Sequence, residues 1–171
     1  MPSISIDYYG TLNKNTAFWK ELLKYVKLEG IKVYIISGNW PSYIKGRLEN
    51  EGYISEVHYD HVYSILGYLS SKGIDTWLDE EHDSWYSNQN DWWNVKAIIC
   101  KTLNCQIHFD SDIRFGKAFV GQATRFICLD NNKNMSQIQD WHKKLKLANT
   151  YYDDDDDFYG TMGMMSGFVP M

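Results

Sequence analysis

The chain of 171 residues is 44% hydrophobic and 16% aromatic, enough to bury the core of one compact domain and leaving little room for two. A mean hydropathy of -0.46, without any long apolar run, excludes a membrane span, so no membrane partner is expected. The net charge of -5 resides in Asp153 to Asp157; the remaining residues balance at 17 acidic and 17 basic, which excludes the strongly cationic surface that non-specific nucleic-acid binding requires.

The start, Met1-Pro2-Ser3-Ile4-Ser5-Ile6, has neither a basic leader nor a long apolar stretch, so no signal or transit peptide is read and a cytoplasmic location is expected. Ile4 to Asp7 predicts a buried strand ending in a carboxylate, and Gly10 permits a sharp turn out of it. From Thr16 to Glu29, the apolar residues Phe18, Trp19, Leu22, Leu23 and Val26 recur at helical spacing, with Gly30 as the stop. Lys32 to Ser37 reads as a second strand, rich in β-branched residues, and Pro41 opens a second helix that runs through Asn50. A weaker strand is expected over Glu56 to Tyr59 and a helix over Tyr63 to Ser71.

Residues 73–90 mix acidic side chains with Trp77, Trp85 and Tyr86 without a period, and are expected to form an irregular insertion. Asp91 is the expected cap of a helix from Trp92 to Leu103, followed by a strand over Gln106 to Phe109 that ends at Asp110. A last strand is expected over Arg125 to Leu129 and a last helix over Met135 to Leu147. Strands alternating with helices predict an α/β fold: a Rossmann-like three-layer sandwich with a mostly parallel sheet, occupying residues 1–150. In such sheets ligands bind beyond the carboxyl ends of the strands, where this parse places Asp7, Ser37 and Asp110.

Two carboxylates and a hydroxyl at three strand ends, with a lysine on the preceding helix, suit phosphoryl chemistry. Asp7 is the candidate nucleophile, Asp110 shares a divalent magnesium ion with it, and Ser37 and Lys96 hold the non-bridging oxygens as charge develops. These residues resemble the haloacid dehalogenase (HAD) superfamily. Ile4 to Leu12, with Asp7-Tyr8-Tyr9-Gly10-Thr11, is similar to its first motif, a hydrophobic strand followed by D-x-D-G-T. Val33 to Ser37 resembles the second motif, Lys96 the lysine of the third, and Phe109-Asp110-Ser111-Asp112 the acidic fourth, all in family order over residues 4 to 130. The resemblance implies a magnesium-dependent phosphohydrolase with catalytic residues Asp7, Tyr9, Thr11, Ser37 and Lys96, and a metal on Asp7, Tyr9 and Asp110.

One departure has chemical weight. In the phosphatase members the second aspartate of the first motif protonates the leaving alcohol and then activates water, and Tyr9 stands there instead. A phenol with an ordinary pKa near 10 is a poor base at neutral pH, so turnover is expected to be slow unless His108 or Asp112 substitutes. D-x-Y-G-T-L is also similar to the 2-haloacid dehalogenase branch, whose aspartate attacks carbon without a metal. That branch carries a helical cap after the first motif, and the short span from Asp7 to Val33 leaves no room for a large one. In the superfamily that the chain resembles, a capless site implies a macromolecular substrate, or a small one enclosed by other segments such as residues 73–90.

Trp77, Trp85, Trp92 and Trp93 offer faces on which a base can stack, so the expected partner is a phosphorylated small molecule, a nucleotide or a nucleic-acid end. A catalytically weak binding or scaffolding module is the alternative, and a metal-independent dehalogenase-type hydrolase a further one. Cys100, Cys105 and Cys128 read as reduced packing residues, since the five-residue spacing of the first two is unlike a structural zinc pair. Residues 151–171, acidic and rich in Gly and Met, read as a flexible tail that offers apolar anchors to a protein partner.

Overall fold

The computed structural model describes residues 1–150. The expectations for the acidic tail lie outside the described residues. Five strands, β1 (Ser3–Ile6), β2 (Lys32–Ser37), β3 (His61–Ser64), β6 (Ile107–Asp110) and β7 (Arg125–Cys128), form one sheet in the order β3-β2-β1-β6-β7, every neighbour parallel. Between β3 and β6 lie two short strands, β4 (Trp77–Asp79) and β5 (Ser84–Tyr86), which pair antiparallel with each other. The helices are α1 (Thr16–Leu28), α2 (Pro41–Asn50), α3 (Ile65–Ser71), α4 (Gln89–Thr102) and α5 (Asn132–Thr150).

Side-chain alternation divides the strands between two cores, because successive residues of a strand point to opposite faces. Ile4, Ile6, Val33, Ile35, Ile107, Phe109 and Ile127 meet Leu22, Leu23, Val26, Ile44, Leu48 and Trp141, so α1, α2 and α5 cover one face. Ile36 packs with Leu69, Val95, Ile99, Phe115 and Phe119, so α3, α4 and the 3-10 segment 113–119 cover the other. The result is the α/β three-layer arrangement expected from the alternation of elements. Only a tight turn and α1 separate β1 from β2, so no large cap follows the first motif. Among the described residues, no helix is long and apolar enough to cross a membrane.

Local chemistry sets the element ends. Asn15 caps α1 by accepting from the Phe18 amide, and Ser64 caps α3 by accepting from the Gly67 amide at 2.8 Å. That cap corrects the helix expected from Tyr63: Tyr63 and Ser64 finish β3, and the helix begins at Ile65. The strand expected over Glu56 to Tyr59 is likewise absent, because Glu56 takes a left-handed φ of 68° and leaves a single bridge between Ser55 and Tyr59. The true edge strand starts one turn later. It is anchored where the Asp60 carboxylate accepts from the Val33 amide at 2.8 Å and pairs with Lys27 and Lys32.

The insertion expected to be irregular contains the β4–β5 hairpin. Its three-residue strands are too short to print an alternation, and its turn is closed by Asp79, which accepts from the Glu81 amide and the His82 ring. Helix α4 starts at Gln89 with Asn88 as its cap; Asp91 lies in the first turn instead, where a carboxylate favours the amide-rich helix end. The last helix is longer than expected at both ends, Asn132–Thr150 against 135–147, and β7 stops at Cys128.

Candidate active site

Asp7 leaves β1 with extended backbone, and its amide donates to the Phe109 carbonyl at 2.9 Å, which fixes it beside the end of β6. Tyr9 remains extended and Gly10 turns left-handed at φ 74°, so the chain reverses at once over the strand ends. A Cβ on Gly10 would lie 2.5 Å from Ser111 Oγ, and that hydroxyl donates to the Tyr9 carbonyl at 3.2 Å. The loop after β1 is thereby laid on the loop after β6, and glycine is required by both its φ and this close approach.

Lys96 reaches this point from the middle of α4. Its Nζ donates to Asp7 Oδ1 at 2.8 Å and to Asp110 Oδ2 at 2.7 Å, and stands 4.0 Å from the centre of the Phe115 ring. All three charged groups are buried. Burial pushes the Asp7 carboxyl up to about 6, against the pull of Lys96. Burial would also raise Asp110, but the hydrogen bond from His108 and the Lys96 charge outweigh it and hold Asp110 at about 2. For Lys96 the burial penalty is overcome by the two carboxylates, so its pKa rises and it stays an ammonium.

Asp7, Tyr9, Gly10, Lys96, Asp110, Ser111 and Asp112 line a cleft of about 350 Å³, closed on its other side by Gly38, Trp92, Trp93, Arg114 and Phe115. Of the residues anticipated from sequence, Asp7, Lys96 and Asp110 are thus in direct contact. Tyr9 lies at the rim, 40% exposed, its ring edge against Tyr8 and its phenol pKa raised by burial. Ser37 ends β2 and Thr11 sits in the turn; both are buried, outside the cleft lining, and their hydroxyls have no hydrogen-bond partner among the described residues.

Neither stand-in for the missing acid suits that role. His108 is fully buried with both ring nitrogens engaged, by Ser5 Oγ at 2.8 Å and Asp110 Oδ2 at 3.2 Å, and it is not part of the cleft. Asp112 lines the cleft, but the Arg114 guanidinium grips its two oxygens at 2.6 to 3.1 Å and holds its pKa down, so it carries no proton near neutral pH. Trp77 and Trp85 also lie outside the lining; Trp85 packs edge-on against Trp40 at 5.8 Å, and Trp77 is exposed. Cys100, on the inner face of α4, and Cys105, just after that helix, are buried in the core.

Sequence reasoning passed over Arg114, which stacks on Trp93 at 4.7 Å, and Phe115, which backs the lysine. Their only signal was position, within five residues of Asp110 on the loop that follows it.

The donor set bears on magnesium. Among the described residues, no three His, Cys, Asp or Glu side chains gather closely enough to hold an ion by themselves. Magnesium does not demand this: it keeps several waters and takes one or two carboxylates together with substrate phosphate. Asp110 Oδ2 has both lone pairs filled by Lys96 and His108, whereas Oδ1 accepts only the Asp112 amide at 2.9 Å and retains capacity. Two carboxylates against one ammonium leave the cluster with one negative charge in excess, and this charge with the open capacity of Asp110 Oδ1 is compatible with the ion.

No protein-family model matches the chain. No curated protein matches it either. The solved structure of MT0777 is similar at 11% identity over 84% of this chain and 97% of that one, with a TM-score of 0.42.

Proposed function

We propose that this chain is a HAD-like phosphohydrolase in which Asp7 is the nucleophile, acting on the phosphate of a nucleotide or a nucleic-acid end. The observation that carries the reading is the bridge of Lys96 between Asp7 and Asp110 at the carboxyl ends of β1 and β6. Lys96 holds Asp7 Oδ1, so the other carboxylate oxygen attacks phosphorus. The phosphorus–oxygen ester bond breaks, the alcohol departs, and water then attacks the acyl-phosphate to release inorganic phosphate and restore the Asp7 carboxylate. Magnesium held by Asp7, Tyr9 and Asp110 supplies neutralisation of phosphate charge when bound.

Tyr9 places a phenol where a carboxyl would protonate the leaving alcohol, so the leaving group takes its proton from water and turnover is slow. Trp92 lines the cleft together with Asp7 and offers an apolar ring to a base attached to the phosphate, while the Trp93 ring is engaged by Arg114 and Phe115.

The test is magnesium-dependent phosphate release from nucleoside monophosphates and 3′- or 5′-phosphorylated oligonucleotides, with wild type beside Asp7→Asn. Release by wild type and loss of at least about 100-fold in the variant supports the reading. Equal rates reject it, and ligand binding without turnover by either protein assigns the chain to a binding module. Halide release from 2-haloacids without metal would instead assign it to carbon–halogen hydrolysis.

A further inference from the structure

We infer that His108 is a positioning residue: a neutral imidazole, held from behind by Ser5, that fixes the Asp110 carboxylate and through it the Lys96 ammonium against Asp7. The inference rests on the hydrolase reading for its kinetic consequences, while the hydrogen-bond assignment stands on geometry alone.

His108 lies in the middle of β6 on the α4 face of the sheet, completely buried, with its ring parallel to Phe119 at 5.3 Å and Phe126 tilted at 6.1 Å. An aliphatic residue would fill such a place at lower cost, because an imidazole there must have both nitrogens satisfied. Both are, and the partners decide which nitrogen holds the proton. Asp110 Oδ2, 3.2 Å from Nε2, belongs to a carboxylate and only accepts, so Nε2 carries the hydrogen. With a single ring hydrogen, Nδ1 is then the acceptor and takes the Ser5 hydroxyl proton at 2.8 Å, a closer partner for that hydroxyl than the Ile107 carbonyl at 3.4 Å. The Ser5 oxygen in turn accepts from the Cys100 thiol at 3.1 Å. The chain of donors runs in one direction, from thiol to hydroxyl to imidazole to carboxylate.

That chain ends on the one oxygen Asp110 shares with Lys96. Oδ2 receives Lys96 at 2.7 Å and His108 at 3.2 Å, and Oδ1 receives the Asp112 amide at 2.9 Å. Three donors from two sides lock the carboxylate plane. With the imidazole gone, Oδ2 would hold Lys96 alone, the carboxylate would be free to turn, and the ammonium shared with Asp7 would follow it. His108 is absent from the cleft lining, so it acts through Asp110 and touches no substrate.

The experiment uses the full chain, with His108→Leu and His108→Gln beside wild type; the glutamine amide offers a donor near the place of Nε2. Long-range imidazole nitrogen NMR of wild type should show the hydrogen on Nε2; a hydrogen on Nδ1 or on both nitrogens would overturn the assignment. In magnesium-dependent phosphate release, His108→Leu should lower kcat by about 10- to 100-fold with KM nearly unchanged, and His108→Gln should recover most of the loss. Unchanged kcat in the leucine variant, or equal losses in both variants, would overturn positioning. Should the leucine variant fail to fold, the glutamine variant decides: near-wild-type kcat supports the inference and a tenfold loss, about what a lost supporting contact costs, sinks it.

If wild type releases no phosphate, the hydrolase reading has failed and His108 is judged by the carboxyl carbon resonance of Asp110. Displacement in His108→Leu with restoration in His108→Gln supports the positioning contact, and no displacement in His108→Leu overturns it.

Discussion

Lys96 donates to Asp7 at 2.8 Å across 89 residues of sequence, and the pair is shielded from water on nearly every side. Because Asp110 takes a second bond from the same ammonium, one cation holds two carboxylates that would otherwise repel each other at the ends of adjacent strands. Lys96→Met therefore removes the only opposite charge that both acids contact among the described side chains. Breaking a buried pair from one side costs about 3–5 kcal/mol, and a loss of this size is expected in urea unfolding near neutral pH. The loss should shrink in acid, where one carboxyl takes up a proton. A pH-independent loss would mean that lysine packing, rather than charge, holds the site.

Asp7 attacks only as the carboxylate, and burial raises its pKa to about 6, so kcat/KM should fall on the acid side through that value with unit slope. Stability responds in the same window. Between the ordinary 3.8 and about 6, the folded chain keeps a proton on Asp7 that the unfolded chain has released, so its stabilising contribution is lost as pH rises through this range. Asp110, held at about 2, works oppositely: its contribution is present above 3.8 and is lost as pH falls toward 2. Asp7→Asn abolishes the first effect. Thermal melts from pH 4 to pH 7 should show the wild type losing on the order of 3 kcal/mol that the variant retains, and parallel curves would place the proton elsewhere.

Gly10 and Ser111 meet at the floor of the cleft, and this makes a double-mutant test possible. Gly10→Ala pays for a left-handed φ, about 1–2 kcal/mol, and its Cβ collides with Ser111 Oγ, breaking the bond to the Tyr9 carbonyl. Ser111→Ala removes the hydroxyl and with it the collision. Unfolding of the two single variants and the double variant should give a favourable coupling of about 1 kcal/mol, since the double variant bears the backbone cost and the lost hydroxyl bond only once and no collision. Simple additivity would show that the two loops do not press on each other.

Much of this site was legible because its residues sit at strand ends, where a hydrophobic run gives way to a carboxylate. Asp7 after Ile4-Ser5-Ile6 and Asp110 after Ile107-His108-Phe109 announce themselves in that way, and Lys96 followed from its spacing to Asp110. The β4–β5 hairpin was illegible because three residues per strand cannot show an alternation, and β3 because its true start is set by Asp60 binding the Val33 amide, a contact between distant segments. His108 was misassigned as a stand-in acid for the same reason. Sequence places it two residues before Asp110, but only the sheet shows that Asp110, at the strand end, lines the cleft while His108 lies buried behind it on the α4 face.

Tyr9 is where this chain departs from the D-x-D-G-T pattern it resembles, and the structure leaves room to restore the missing group. The side chain sits at the cleft rim, 40% exposed, so exchange for a smaller carboxylate forfeits only its edge contact with the buried Tyr8 ring, and its cost in stability should be about 1 kcal/mol. Burial raises the phenol pKa further from neutrality, which makes it a worse base than free tyrosine. Tyr9→Asp should supply a group that protonates the leaving alcohol and then activates water, raising kcat by about 100-fold, the low end of general acid–base effects. The gain should depend on the leaving group: large for alkyl phosphates and small for nitrophenyl phosphate, whose phenolate departs without a proton. A uniform gain across both would locate the defect in substrate binding, and no gain in either would mean that proton transfer does not limit this site.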